Sequence, residues 1–171
     1  MKIITFIKSI IMVNRLKHPS LMQDIKTELY NYCLTTIENK LNTINSVFDS
    51  AQSSANNETR STAGDKHDTA RAMAHLESEK NAKQLVEINK LKRVLPYLNE
   101  FIGTDKAELG SLVITNVGNY YLSISLGKIV MNSIDYFLIS AVTPIGKLLV
   151  GKTIGDEVMF NGKTIKIIEL K

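Results

Sequence analysis

The sequence predicts an α+β protein in which a long antiparallel helical hairpin precedes a small antiparallel β domain with one short helix. Two observations carry this. Of nine glycines only Gly64 lies between residues 21 and 95, a stretch that also lacks proline, while the other eight fall between residues 103 and 162. Helix breakers are therefore kept out of the first half except at one point. The apolar period changes at the same boundary, from steps of three and four to steps of two.

In the first arm Ile25, Leu29, Cys33, Ile37, Leu41, Ile44, Phe48, Ala51 and Ala55 mark one face of a helix. In the second arm Ala70, Met73, Leu76, Ala82, Leu85, Ile88, Leu91, Leu95 and Leu98 do the same, with most charges on the outside. Two arms of about 30–35 residues would each run about 45–50 Å at 1.5 Å per residue. Neither stripe tolerates exposure, so the arms are expected to pair antiparallel over residues 22–100. The turn is expected in 53–64, where Ser, Asn, Thr and Gly cluster, and the tip in 53–68. Cys33 falls on the buried stripe and reads as a core residue rather than a nucleophile.

From Gly110 onward five strands are expected, at 112–115, 120–126, 134–139, 157–160 and 164–169. Gly118-Asn119 and Asn161-Gly162 read as tight turns, the second being the strongest hairpin signal in the chain. Pro144 near the start and Gly151 at the end delimit one short helix over 144–150. The second domain is thus placed at 107–171.

Charge and cysteine content narrow the function classes. The formal net charge is +4, but residues 1–20 alone contribute +4, while 21–106 carry −1 and 107–171 carry +1. The basic excess therefore sits in the leader and does not form a nucleic-acid-binding face. A single cysteine builds neither an internal disulfide nor a thiolate zinc site, so a reducing cytoplasm is the expected compartment. The leader, residues 1–21, begins basic and is apolar from Ile3 to Val13. Lys8 interrupts that run and no small-residue cleavage site follows, so it reads as a loose tail or an upstream start-site extension rather than a signal peptide.

One motif match is rejected on context. Residues Gly146 to Thr153 satisfy G-x-x-x-x-G-K-[ST], yet a phosphate cradle needs a strand before the loop and a helix after it. Here the interior positions are apolar and helical, and a strand follows. The tip is more informative. Asp65 after Gly64 suits a helix N-cap, and Asp68 suits the third helical position, where the helix dipole favours both carboxylates. The same spacing puts two carboxylates on one face beside the turn, with Glu58 across from them. Two carboxylates hold Mg²⁺ weakly, so a shared cation would take its other ligands from a host. His67 and His75 lack metal-ligand spacing and read as solvated helix residues.

These residues resemble a known family. Gly64-Asp65-x-x-Asp68-x-Ala70 at the tip of a long hairpin, followed by Thr143-Pro144-Ile145, Leu148-Leu149-Val150-Gly151-Lys152 and Gly155-Asp156 in this order, is similar to the bacterial Gre transcript cleavage factors over most of residues 22–171. The resemblance implies an FKBP-like C-terminal domain that docks on RNA polymerase and a coiled coil that enters the enzyme's secondary channel. It implies that Asp65 and Asp68 assist catalysis there by helping to hold a Mg²⁺ shared with the polymerase, so that the polymerase cleaves the backtracked RNA 3′ end. Thr143, Pro144 and Ile145 match a loop associated with docking. The protein would then have no cofactor of its own, no small-molecule substrate and no membrane partner, and would not itself be an enzyme. Three departures bear on this: Asp68 stands where the family usually has Glu, residues 69–73 replace a more acidic and aromatic stretch, and Thr143 replaces a usual serine. The alternative expectation is a channel-binding regulator that does not promote cleavage. A third, a prolyl isomerase, lacks the tryptophan that usually floors that pocket.

Overall fold

The computed structural model describes residues 19–58, 66–99 and 105–171. Helix α1 spans Pro19–Glu58 and helix α2 spans Lys66–Asn99. Six strands follow, β1 (Leu112–Thr115), β2 (Asn119–Leu122), β3 (Gly127–Met131), β4 (Ile134–Ile139), β5 (Glu157–Phe160) and β6 (Lys163–Leu170), with the short helix α3 (Pro144–Leu149) between β4 and β5. A helical hairpin followed by a small β domain is the architecture the glycine distribution and the two periods predict.

The first arm is longer than expected. Pro19 opens α1, at a position where the missing N–H costs no hydrogen bond, so the helix begins inside the stretch assigned to the leader. At the other end it runs through 53–58, which had been given to the turn. Serines in and just before this stretch bond back onto the helix: Ser50 Oγ donates to the Ser46 carbonyl and Ser53 Oγ to the Asp49 carbonyl, both at 2.8 Å. Such back-bonding lowers helix stability slightly without ending the helix.

The chain divides into two compact units. One contains residues 34–96, the shaft of the hairpin; the other joins, among the described residues, 19–33, 97–99 and 105–171, so the base of the hairpin belongs with the β domain. Pro96 lies inside α2 at that division, where its ring removes the N–H that would bond the carbonyl four residues back.

In the shaft, Ile37 and Ile44 of α1 and Ile88 and Leu95 of α2 are buried. Between the helices a groove of about 740 Å³ is lined from one side by Thr36, Lys40 and Ile44 and from the other by Lys83, Ile88 and Leu91. The expected stripe is not buried throughout. Met73 and Leu76 are 66% and 62% exposed, and Ala82 is exposed as well. The physical reason lies in the opposite arm: from Asn45 to Glu58 α1 offers only Val47, Phe48, Ala51 and Ala55 among polar and small residues, too little apolar surface to cover a second stripe.

In the β domain the strand order is β3-β4-β2-β1-β6-β5. All neighbours are antiparallel except β2 and β4, which run parallel. The expected strand at 120–126 ends at Leu122, and β3 is an additional strand. Gly127, at φ +84, lets the chain reverse into β3. Asn132 (φ 52) and Ser133 (φ 62) then turn it into β4 with two left-handed residues, the backbone a type I′ hairpin requires. Asn161 (φ 49) and Gly162 (φ 73) do the same between β5 and β6.

The central strands are covered on both faces. On one face Val113, Leu122, Ile165 and Ile167 form a core with Ile145 and Leu149 of α3, and Tyr120 stacks on Phe137 at 5.4 Å. On the other, Leu112 and Tyr121 are register partners, as are Tyr121 and Leu138, and the base of α1 lies here. Cys33 Sγ stands 4.0 Å from Ser123 Oγ, and Glu28 accepts from Asn132 Nδ2 at 3.3 Å. Burial on both sides explains why Leu112-Val113 and Tyr121-Leu122 are consecutive buried pairs rather than alternating ones.

Cys33 is fully buried, as its place on the stripe predicts. Burial pushes its thiol up from an ordinary 9.0 to about 11, with the Ser123 hydrogen bond working weakly the other way. Between about pH 9 and pH 11 the unfolded chain then loses a thiol proton that the folded chain keeps, so this residue's contribution to stability is complete below pH 9 and lost as pH rises through 11. Comparing the native chain with Cys33→Ala by denaturant unfolding should show the difference in stability falling across that window. Iodoacetamide at neutral pH should alkylate Cys33 only once the chain is unfolded; rapid native alkylation would contradict its burial.

Candidate functional site

The carboxylates expected to carry the chemistry belong to the tip. Gly64 and Asp65 lie outside the described residues. Helix α2 begins at Lys66, the residue after Asp65, and Asp68 is its third residue; the side chains of Asp68, His67 and Glu58 are not among those described. Among the described residues no three His, Cys, Asp or Glu side chains gather as a metal-holding group. The tip acids stand outside that set. Their donor chemistry fits Mg²⁺ in kind, since both offer hard carboxylate oxygens, and falls short in number, since the ion takes six ligands. His75 is described, and its Nδ1 lies 3.5 Å from Glu79 Oε1 on the exposed face of α2.

The loop entering α3 is fully described, and its geometry is built from hydroxyls. Thr143 is the N-cap of α3, at φ −68 and ψ 155. Its Oγ1 accepts from the Gly146 N–H at 3.2 Å and donates to the Ser140 carbonyl at 2.7 Å. Ser125 Oγ accepts from the Ser140 N–H at 3.2 Å, tying the loop to the segment after β2. The three expected docking residues therefore play different parts. Pro144 is exposed at the first turn of the helix. Thr143 is half-buried and spends its hydroxyl on the cap, a bond serine would make equally well. Ile145 is 8% exposed and packs into the core, so its side chain anchors the loop. Val142, 74% exposed, is the surface residue that sequence reasoning missed. Its signal was an apolar residue just before an N-cap.

The P-loop match fails in three dimensions as well. Helix α3 lies before Lys152 and Thr153, and β5 follows them. The backbone N–H groups that would cradle a phosphate are committed internally. Gly151 donates to the Ala107 carbonyl at 2.7 Å, Lys152 to the Leu149 carbonyl at 3.1 Å, and Thr153 to Asp156 Oδ2 at 2.8 Å. That Thr153 N–H holds the Asp156 carboxyl below the usual carboxylate range.

Gly146 is the position at which this loop is least tolerant. A Cβ there would stand 2.2 Å from the Ser140 carbonyl oxygen and 2.9 Å from Thr143 Oγ1. Gly146→Ala should cost roughly 2–3 kcal/mol through overpacking against backbone. Gly151→Ala meets no atom within 4 Å but is held at φ +79, and should cost only about 1–2 kcal/mol. Thermal unfolding of the two variants checks the order; equal losses would contradict the close approach at Ser140.

No family model matches the chain, and neither a search of curated proteins nor one of solved structures finds a relative.

Proposed function

We propose that the protein is a transcription factor of the Gre type, which binds RNA polymerase through the β domain and brings the turn end of its hairpin into the enzyme's secondary channel to stimulate cleavage of backtracked RNA. The observation that carries this reading is the start of α2 at Lys66. Asp68 is then the third residue of a helix and Asp65 directly precedes it in sequence, and the positive end of a helix favours carboxylates in its first turn. Two acids close together in sequence at a helix start suit a probe that completes a site in another protein. The Val142-Thr143-Pro144 loop supports the same reading as a docking element, because its hydroxyl network fixes an exposed valine and proline in place before any partner arrives.

In this reading Asp65 and Asp68 would help hold a Mg²⁺ together with polymerase groups, and that ion would supply charge stabilisation and an activated water for phosphodiester hydrolysis. What the chain itself contributes is placement. A helix start that restricts both carboxylates lowers the cost of ordering them around a cation. Binding would occur in the cytoplasm, with the RNA 3′ end contacted only within the polymerase.

A second reading keeps channel binding and removes cleavage. Asp68 is one methylene shorter than the glutamate usual in the family, and Met73 and Leu76 present apolar surface just past it. Both change what the tip offers to a metal site.

Transcript cleavage on stalled bacterial elongation complexes separates the two. The native chain should accelerate cleavage, and the Asp65→Asn, Asp68→Asn double variant should lose roughly 100-fold of that stimulation while retaining its helix content. Equal cleavage by both proteins would rule out the metal role, and binding without any cleavage would select the regulator.

A further inference from the structure

The exposed part of the α2 stripe and the groove in the shaft fit each other. Met73, Leu76, Lys80, Gln84, Glu87 and Leu91 follow at steps of three and four, so they share one face of α2. At the Leu91 end that face forms one wall of the groove whose apolar lining includes Ile44 and Ile88. At the Met73 end it lies open, with Met73 and Leu76 66% and 62% exposed. An apolar strip and an apolar groove thus lie on one helix face, displaced along its axis.

Charges are arranged to match. Lys40 and Lys83, on opposite walls of the groove, form no ion pair among the described residues, whereas Glu87 is already paired with Lys90 at 2.6 Å. The exposed strip is flanked by Glu77 and Glu79, the latter paired among the described residues with His75 at 3.5 Å. Groove walls with two uncommitted ammonium groups complement a strip bordered by two carboxylates.

We infer that the hairpin associates with a second copy of itself, with the two α2 helices packed antiparallel about a two-fold axis near Asn81. The register is the one in which the apolar strip and the charges of the two copies meet. A two-fold at Asn81 brings Met73 and Leu76 of each copy to the level of residues 86–89 of the other, over the groove formed with Ile44. On one flank it sets Glu79 opposite the other copy's Lys83. In the same register Glu77 comes within about one to two turns, along the axis, of the other copy's Lys40, which lines the groove. The contact is isologous and closes after two copies. Lys80, on the same stripe close to the axis, opposes its counterpart and keeps the association weak and reversible. If the hairpin serves as a probe of RNA polymerase, this pairing holds it in reserve; that consequence rests on the function proposed above, whereas the pairing does not.

Sedimentation of the full chain across a range of concentrations tests the pairing without any polymerase. The native protein should move from monomer to dimer as concentration rises, and Lys40→Glu with Lys83→Glu should weaken self-association by roughly tenfold or more. A Glu77→Lys, Glu79→Lys chain should be weakened similarly. Mixing the two variants should restore a dimer, because each then supplies the charge the other needs. All four positions are exposed, and circular dichroism of each variant checks that its helices are kept. A native chain that stays monomeric throughout, a dimer indifferent to both charge reversals, or a mixture that fails to recover would each overturn the inference.

Discussion

The structure depends most on the burial of the base of α1 against one face of the sheet. Leu29 and Cys33 are fully buried there, as are Leu112 and Tyr121. The Tyr121 hydroxyl is pushed well above its ordinary range, by burial first and by Cys33 and Tyr30 second, which reflects how completely water is excluded. Without α1, the central strands would carry an uncovered apolar face opposite α3. A six-stranded sheet covered only by a six-residue helix has too little core for independent stability. Hairpin base and β domain are thus one folding unit, although sequence composition divides them near residue 100.

Much of the fold was legible because its signals are exclusions. Keeping glycine and proline out of a long stretch leaves few alternatives to helix, and Asn161-Gly162 leaves few alternatives to a tight hairpin. What escaped reading has specific physical causes. The Asn132-Ser133 turn uses serine at positive φ, a conformation serine seldom adopts, so no local signal marks it. Ser53 and its neighbours look like a loop by composition, but their hydroxyls can be satisfied on the helix itself. The exposure of Met73 and Leu76 could not be read from their own spacing, since burial depends on what the opposite arm offers at the same level.

The candidate site was legible to unequal depth. The Thr143-Pro144-Ile145 element was located correctly as the start of α3, yet spacing could not tell which of its side chains faces outward. In the structure Thr143 caps, Ile145 anchors, and Pro144 with Val142 forms the surface. The false P-loop was removable from sequence because element order alone excludes it. The expectation for Asp65 and Asp68 came from sequence pattern, and of the two the structure describes the backbone of Asp68, as the third residue of α2.

We propose that this chain engages RNA polymerase, and direct binding tests that most simply. When the 171-residue chain is immobilised and offered purified bacterial core RNA polymerase, the enzyme should be retained, and retention should fall when Val142 and Pro144 are both replaced by acidic residues and the loop surface is lost. A chain that retains no polymerase, or one whose retention is unchanged by that replacement, would contradict it.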